Sequence, residues 1–290
     1  MRKYILWMIV LILSLSLMAS ITLIGCKDTS DEAIDDAMEA ALEKEATEEV
    51  DKTTEETTVE EAEEEPIEEE AEEETEEEPA LEENTPPEGE VTFKTEDGID
   101  IGGNIFGTGK KWVILSHMYP TDQTSWFDFA RELADKGYIV LTYDFRGYGK
   151  SDGDQDIPNI YKDTEAALNF VKQYDAEKIF LIGASMGGAA SLIVASKEEV
   201  DGVISFSSAI EFMGLSAMDN IKDIQSPKLF MASQGDAGAT EAANIFYEIS
   251  SGSKYLTILN GNSHGTFIFQ EEPENAEIAK QNMFDFLDFS

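Results

Sequence analysis

Lys178-Ile179-Phe180-Leu181-Ile182-Gly183-Ala184-Ser185-Met186-Gly187-Gly188-Ala189-Ala190 decides how the chain is read. Residues 179–182 are an apolar run without polar alternation, the pattern of a strand buried on both faces of a parallel sheet. The run meets a G-x-S-x-G pattern centred on Ser185 and then a helix-forming segment, residues 188–195. Strand, tight turn and helix around a serine are the context of a nucleophile elbow. The glycines permit a turn sharp enough to hold the serine clear of the sheet in strained geometry. The helix start directs unpaired amide N–H groups and a positive dipole end at the same point. The same letters also fit a plain Gly-rich turn with an incidental serine.

Outward from that stretch, the pattern continues through the last 200 residues. Residues 91–95 and 99–106 alternate on either side of Glu96-Asp97-Gly98, which predicts a β-hairpin. Strands are then predicted at 112–115, 138–143, 178–182, 203–206, 228–232 and 255–259. Helices are predicted at 125–136, 160–174, 187–196, 240–250 and 275–288, with a further apolar helix-like piece at 212–224. Ile160, Thr164, Ala167, Leu168 and Val171 share one face at helical spacing. Such alternation implies an α/β fold: a mostly parallel sheet of about eight strands, helices on both faces and an antiparallel hairpin at its start. Ligands in such folds sit beyond the carboxyl ends of the strands. Neither a G-x-G-x-x-G after the first parallel strand nor a G-x-x-x-x-G-K-[ST] is present, so no nucleotide cofactor is expected.

Charge divides the chain. The 290 residues carry a formal net charge of −41. Residues 27–90 account for −28 of it and residues 91–290 for −15. Phosphates would be repelled by such a balance, which argues against a nucleic-acid partner. From Asp28 to about Gly89 the composition collapses to Glu, Ala, Thr and a few Pro, with no apolar periodicity, and reads as a disordered acidic stalk. As a neutral coil it would span about 45 Å, and self-repulsion would lengthen it. Weak cation binding by the stalk is the lesser alternative to a solvated spacer.

Arg2 and Lys3 precede an apolar run from Tyr4 to Ile24, the layout of a secretory signal. Leu23-Ile24-Gly25-Cys26 closes it and resembles the bacterial lipobox, in which cleavage before the cysteine leaves that residue to carry lipid. The run is also long enough to remain as an uncleaved anchor. The division expected is therefore a signal peptide at 1–25, a lipidated Cys26 with its acidic stalk at 26–90, and a folded domain at 91–290. Both alternatives tether the domain to the membrane outside the cytoplasm. Cys26 is the only cysteine, so no intrachain disulfide and no cysteine-based metal site can form.

Four landmarks in order resemble the α/β-hydrolase superfamily, its small cap-less serine esterases and dienelactone-hydrolase-like members above all. They are Val113-Ile114-Leu115-Ser116-His117-Met118-Tyr119, Asp144-Phe145-Arg146-Gly147-Tyr148-Gly149-Lys150-Ser151, the Ser185 elbow, and Ser263-His264-Gly265. A serine hydroxyl needs a base within reach, and that base needs an acid to fix its tautomer. The resemblance implies Ser185 as nucleophile, His264 as base and Asp236 as acid, in the chain order this fold uses. Glu211 is a rival acid, because some relatives use that position. The oxyanion hole would be the backbone N–H groups of Met186 and Tyr119, although Met118 replaces the usual glycine of that loop. His117, Asp144 and Arg146 are expected to brace the site.

Asp152, Asp154, Asp156 and Asp163 echo a calcium loop, but Ile157 and Pro158 stand where its turn needs glycine, and a polar loop is the better reading. No metal and no cofactor are called for. The short interval between residues 206 and 228 leaves no room for a large cap and implies an open site. Met118, Tyr119, Trp126, Met186, Phe212 and Met213 could line it or belong to the core. The implied activity is ester hydrolysis on a small acyl substrate through an acyl-enzyme. Thioester, peptide or perhydrolase chemistry on the same triad remains open, as does a non-catalytic surface binding lipoprotein. No protein partner is indicated.

Overall fold

A computed structural model describes residues 86–290. The signal-like run, Cys26 and the acidic stretch through residue 85 lie outside the described residues. The elements run β1 (Gly89–Lys94), β2 (Asp100–Phe106), β3 (Lys111–Ser116), α1 (Phe127–Asp135), β4 (Ile139–Tyr143), α2 (Tyr161–Val171) and β5 (Lys178–Ala184). They continue with α3 (Met186–Ala195), β6 (Gly202–Phe206), β7 (Lys228–Ser233), α4 (Ala237–Ile249), β8 (Lys254–Leu259), α5 (Ile268–Glu271) and α6 (Pro273–Phe289).

The strands form one eight-stranded sheet in the order β1-β2-β4-β3-β5-β6-β7-β8. Pairing is antiparallel for β1 with β2 and for β2 with β4, and parallel from β4 through β8. This is the predicted architecture. Strands β3, β4, β5 and β6 are apolar without alternation because helices cover both faces, leaving no solvent side for polar residues. The core accordingly divides into two layers. One holds Trp112, Ile114, Leu181, Leu192 and Phe230; the other holds Val113, Phe129, Phe180, Ile204 and Met283. Helix α3 is buried at every position, which explains why its sequence is apolar all round instead of striped.

The helix-like piece at 212–224 is not a helix. Met213 and Gly214 take positive φ, 48° and 88°, and turn the chain back so that Phe212 bridges Leu215. The Glu211 carboxylate accepts from the Gly214 N–H and closes that turn. Only a 3-10 turn at Ile221–Asp223 is helical. The apolar residues that suggested a helix, Leu215, Ala217, Ile221 and Ile224, are core anchors of an irregular segment.

Candidate active site

The elbow is built by close approach. A Cβ at Gly183 would overlap the Gly187 carbonyl, and one at Gly187 would overlap the carbonyls of Ser116 and His117. Only glycine lets β5, the turn and the exit of β3 pack at that distance. Ser185 between them is held at φ 49°, ψ −116°, a conformation that L side chains rarely adopt. It is pinned from the β6 side. Its N–H donates to the Phe206 carbonyl at 2.8 Å, and its carbonyl accepts from the Ser208 hydroxyl at 3.0 Å.

Asp236 and His264 lie in the loops after β7 and β8, and they meet. The imidazole Nδ1 is 2.6 Å from Asp236 Oδ2, so Nδ1–H donates to the carboxylate and Nε2 is left to take a proton. Asp236 opens helix α4 but caps no amide of it with its side chain, which sets aside the plain capping role. Glu211, the rival acid, is spent on its own turn.

The Ser185 and His264 loops abut. A Cβ added at Gly265 would lie 3.4 Å from the Ala184 Cβ and 2.5 Å from the Met118 sulfur. The neighbours of the serine and of the histidine are therefore packed together, with no Ser185–His264 hydrogen bond formed among the described residues. Met118, which replaces the expected glycine, tucks its fully buried side chain beneath this contact.

Met186 begins α3, where first-turn amides have no intrahelical acceptor. The Tyr119 amide lies in the loop after β3, just before the cis Tyr119–Pro120 bond. That loop is braced at the Met118 carbonyl, which accepts from the Thr121 N–H at 3.0 Å and the Thr121 hydroxyl at 2.9 Å.

His117 is wholly buried with both nitrogens committed. Nδ1–H donates to the Met118 carbonyl at 3.0 Å, and Nε2 accepts from the Phe145 N–H at 3.1 Å. Burial pushes its pKa down from the ordinary 6.5, so it stays neutral. Asp144 ties two loops together: Oδ1 accepts from the Gln123 N–H, and Oδ2 from the Gln123 amide and the Lys150 N–H. The buried Asp163 of the calcium-like spacing is bound to Arg146 at 2.7 Å instead. Among the described residues, no group of three or more His, Cys, Asp or Glu is arranged to hold a metal.

Of the six candidate lining residues, Met118, Trp126 and Met186 are core. The Trp126 indole donates to the Ser116 carbonyl at 3.0 Å. Tyr119 and Met213 are exposed, and the Tyr119 and Phe212 rings lie 5.7 Å apart. The sequence reading missed Glu272, whose carboxylate grips the residues just before His264. It sits in an acid-rich Glu-Glu-Pro-Glu run, and nothing in that spacing distinguishes it.

The comparisons follow the same outline. A family model described as serine aminopeptidase S33 matches residues 107–225, a span that includes Ser185 and stops short of Asp236 and His264. The YfhR protein of Escherichia coli O157:H7 is 27% identical over 123 residues, covering 39% of this chain and 43% of that one. The AB hydrolase superfamily protein YfhM of Bacillus subtilis is 33% identical over 86 residues, covering 29% of this chain and 30% of its own. The matches thus span less than half the length of these curated relatives. The Pyrococcus furiosus esterase Pf2001 superposes with a TM-score of 0.61 at 21% identity, over 70% of this chain and 92% of that one. Sheet order, elbow and matched motifs agree: the chain has the α/β-hydrolase fold, and its residues 107–225 are similar to the serine aminopeptidase S33 family.

Proposed function

We propose that the protein is a serine hydrolase of carboxylic esters, held outside the cytoplasm by lipid on Cys26. In this reading the Ser185 hydroxyl attacks the acyl carbonyl while His264 Nε2 takes its proton. Asp236 keeps the imidazole in the right tautomer and stabilises the imidazolium. The Met186 and Tyr119 amides receive the developing oxyanion, each such donor typically being worth about 10²–10³ in rate. His264 returns the proton to the leaving alcohol, and water then enters by the same base to release the acyl group. The observation that carries the reading is the 2.6 Å Asp236–His264 pair on a loop packed against the elbow. The exposed Tyr119 and Met213, with the half-buried Phe212 beside them, suit the acyl or alcohol portion of a small ester in an open site.

The test is hydrolysis of p-nitrophenyl acetate together with labelling by a fluorophosphonate probe. Ser185→Ala should abolish labelling and lower turnover by at least about 10³-fold with an unchanged circular dichroism spectrum. Equal turnover by the variant and the parent would overturn the mechanism. The description of the matched family favours one rival substrate, a peptide bond at a free amino terminus. Amino-acid p-nitroanilides compared with p-nitrophenyl esters decide between them, and faster ester turnover is expected.

A further inference from the structure

Glu272 stands between α5 and α6, with non-helical backbone at φ −132°, ψ 74°. Its position at the start of α6 suggests a helix cap, yet its side chain caps no amide of that helix. It reaches back instead to the loop that carries His264. Oε1 accepts from the Asn262 N–H at 2.7 Å, the Ser263 N–H at 2.9 Å and the Ser263 hydroxyl at 3.0 Å. Oε2 accepts from the Asn275 amide at 2.7 Å, and Asn275 also donates to the Asn260 carbonyl at 2.8 Å. Glu271 holds the same Ser263 hydroxyl at 2.6 Å. The loop approaches so closely that a Cβ at Gly261 would overlap the Glu272 carboxylate.

The clamped segment also reaches the acid. The Gly235 N–H donates to the Gly261 carbonyl at 2.7 Å, and a Cβ at Gly235 would overlap the Asn262 side-chain oxygen. One carboxylate thus fixes residues 261–263, which lean on the residue before Asp236 and lead directly into His264. Two consecutive amides aimed at one oxygen form a small anion cradle that a neutral side chain fills less well. These hydrogen bonds, the Asn262 N–H foremost, hold the Glu272 carboxyl down at about 2 against an ordinary 4.5.

We propose that Glu272 is a positioning residue for His264, clamping the 261–263 loop so that the imidazole stays aligned between Asp236 and Ser185. The inference rests on the serine-hydrolase reading above. Catalytic groups must be held within roughly 0.5 Å of their productive geometry. A displacement of about 1 Å can cost on the order of 10² in rate.

The experiment compares the full chain with Glu272→Ala, Glu272→Gln, His264→Ala and the Glu272→Ala/His264→Ala double variant. It follows the concentration dependence of fluorophosphonate labelling and p-nitrophenyl acetate turnover, with thermal unfolding in parallel. Glu272→Ala should lower kcat and the maximal labelling rate by about 10- to 100-fold, with KM and half-saturating probe within about twofold. Glu272→Gln keeps an acceptor for both amides and should recover most of that loss. In the His264→Ala background, removing Glu272 should cost nothing further. The proposal is overturned if Glu272→Ala keeps kcat, if its loss lies wholly in KM, if Glu272→Gln is as impaired as Ala, or if the loss persists undiminished without His264. If Ser185→Ala leaves labelling and turnover intact, the triad reading itself fails. A Ser185-dependent parent with an unimpaired Glu272→Ala variant sinks the clamp alone.

Discussion

His117 shows how much a single buried ring contributes when neither nitrogen is free. Its two hydrogen bonds join the loop after β3 to the loop after β4, and its ring packs on Phe145 and Tyr148 at 4.8 and 5.0 Å. Because burial lowers its folded pKa below 6.5, the unfolded chain takes up a proton that the folded one refuses. Its stabilisation is therefore complete above the unfolded value and drains away as pH falls below it, by about 1.4 kcal/mol per pH unit while that single proton is taken up. His117→Leu should flatten this part of the urea-unfolding free energy between pH 7 and pH 5. At pH 7 it should also cost about 1–3 kcal/mol, since the buried Phe145 N–H loses its acceptor. That His117 braces the loop after β3 was expected from the resemblance. The tautomer was not, because it is set by Phe145, 28 residues away.

Elements are held in register by one guanidinium. Arg146, in the loop after β4, donates to Asp163 of α2 from Nε and Nη2 at 2.8 and 2.7 Å. From Nη1 and Nη2 it also reaches Asp97, in the β1–β2 turn, at 2.9 and 3.1 Å. The hydrogen-bonded guanidinium holds Asp97 well below the usual carboxylate range, while burial pushes the Asp163 carboxyl upward. Arg146→Met would strand the wholly buried Asp163 charge and should cost about 3–5 kcal/mol in urea denaturation. Arg146→Lys should not repair it, because a single ammonium cannot serve both carboxylates with the guanidinium's fixed fork. At this scale the strands and most helices were legible, since apolar runs and turn residues are local signals. The segment at 212–224 misled because its apolar spacing answers to separate core contacts, while Met213, Gly214 and Glu211 settle its shape. Glu272 escaped for a related reason: its partners lie across a loop, and no periodicity encodes a side chain that turns back on its own chain.

For the whole molecule, the proposed lipid anchor has a direct test. The lipoprotein reading predicts that cells fed radiolabelled palmitate incorporate label into the protein, and that Cys26→Ser incorporates none. Label retained by that variant would overturn the lipid anchor. The prediction concerns the chain start only. Four motifs, each beside a strand end, made the fold legible and pointed to Ser185 and His264, while Asp236 was proposed from its place after β7, because strand ends are where such folds concentrate their chemistry.

Strand order has a temporal corollary. Ser185 follows β5, near the middle of the sheet, whereas Asp236 and His264 follow β7 and β8, the last two strands to be added at one edge. A chain emerging amino end first during synthesis holds its serine for some eighty residues before the histidine exists. On the proposed serine-hydrolase reading, the polypeptide is chemically silent throughout that interval. On that reading, a truncation anywhere ahead of residue 264 yields an inert product instead of a miscreant one.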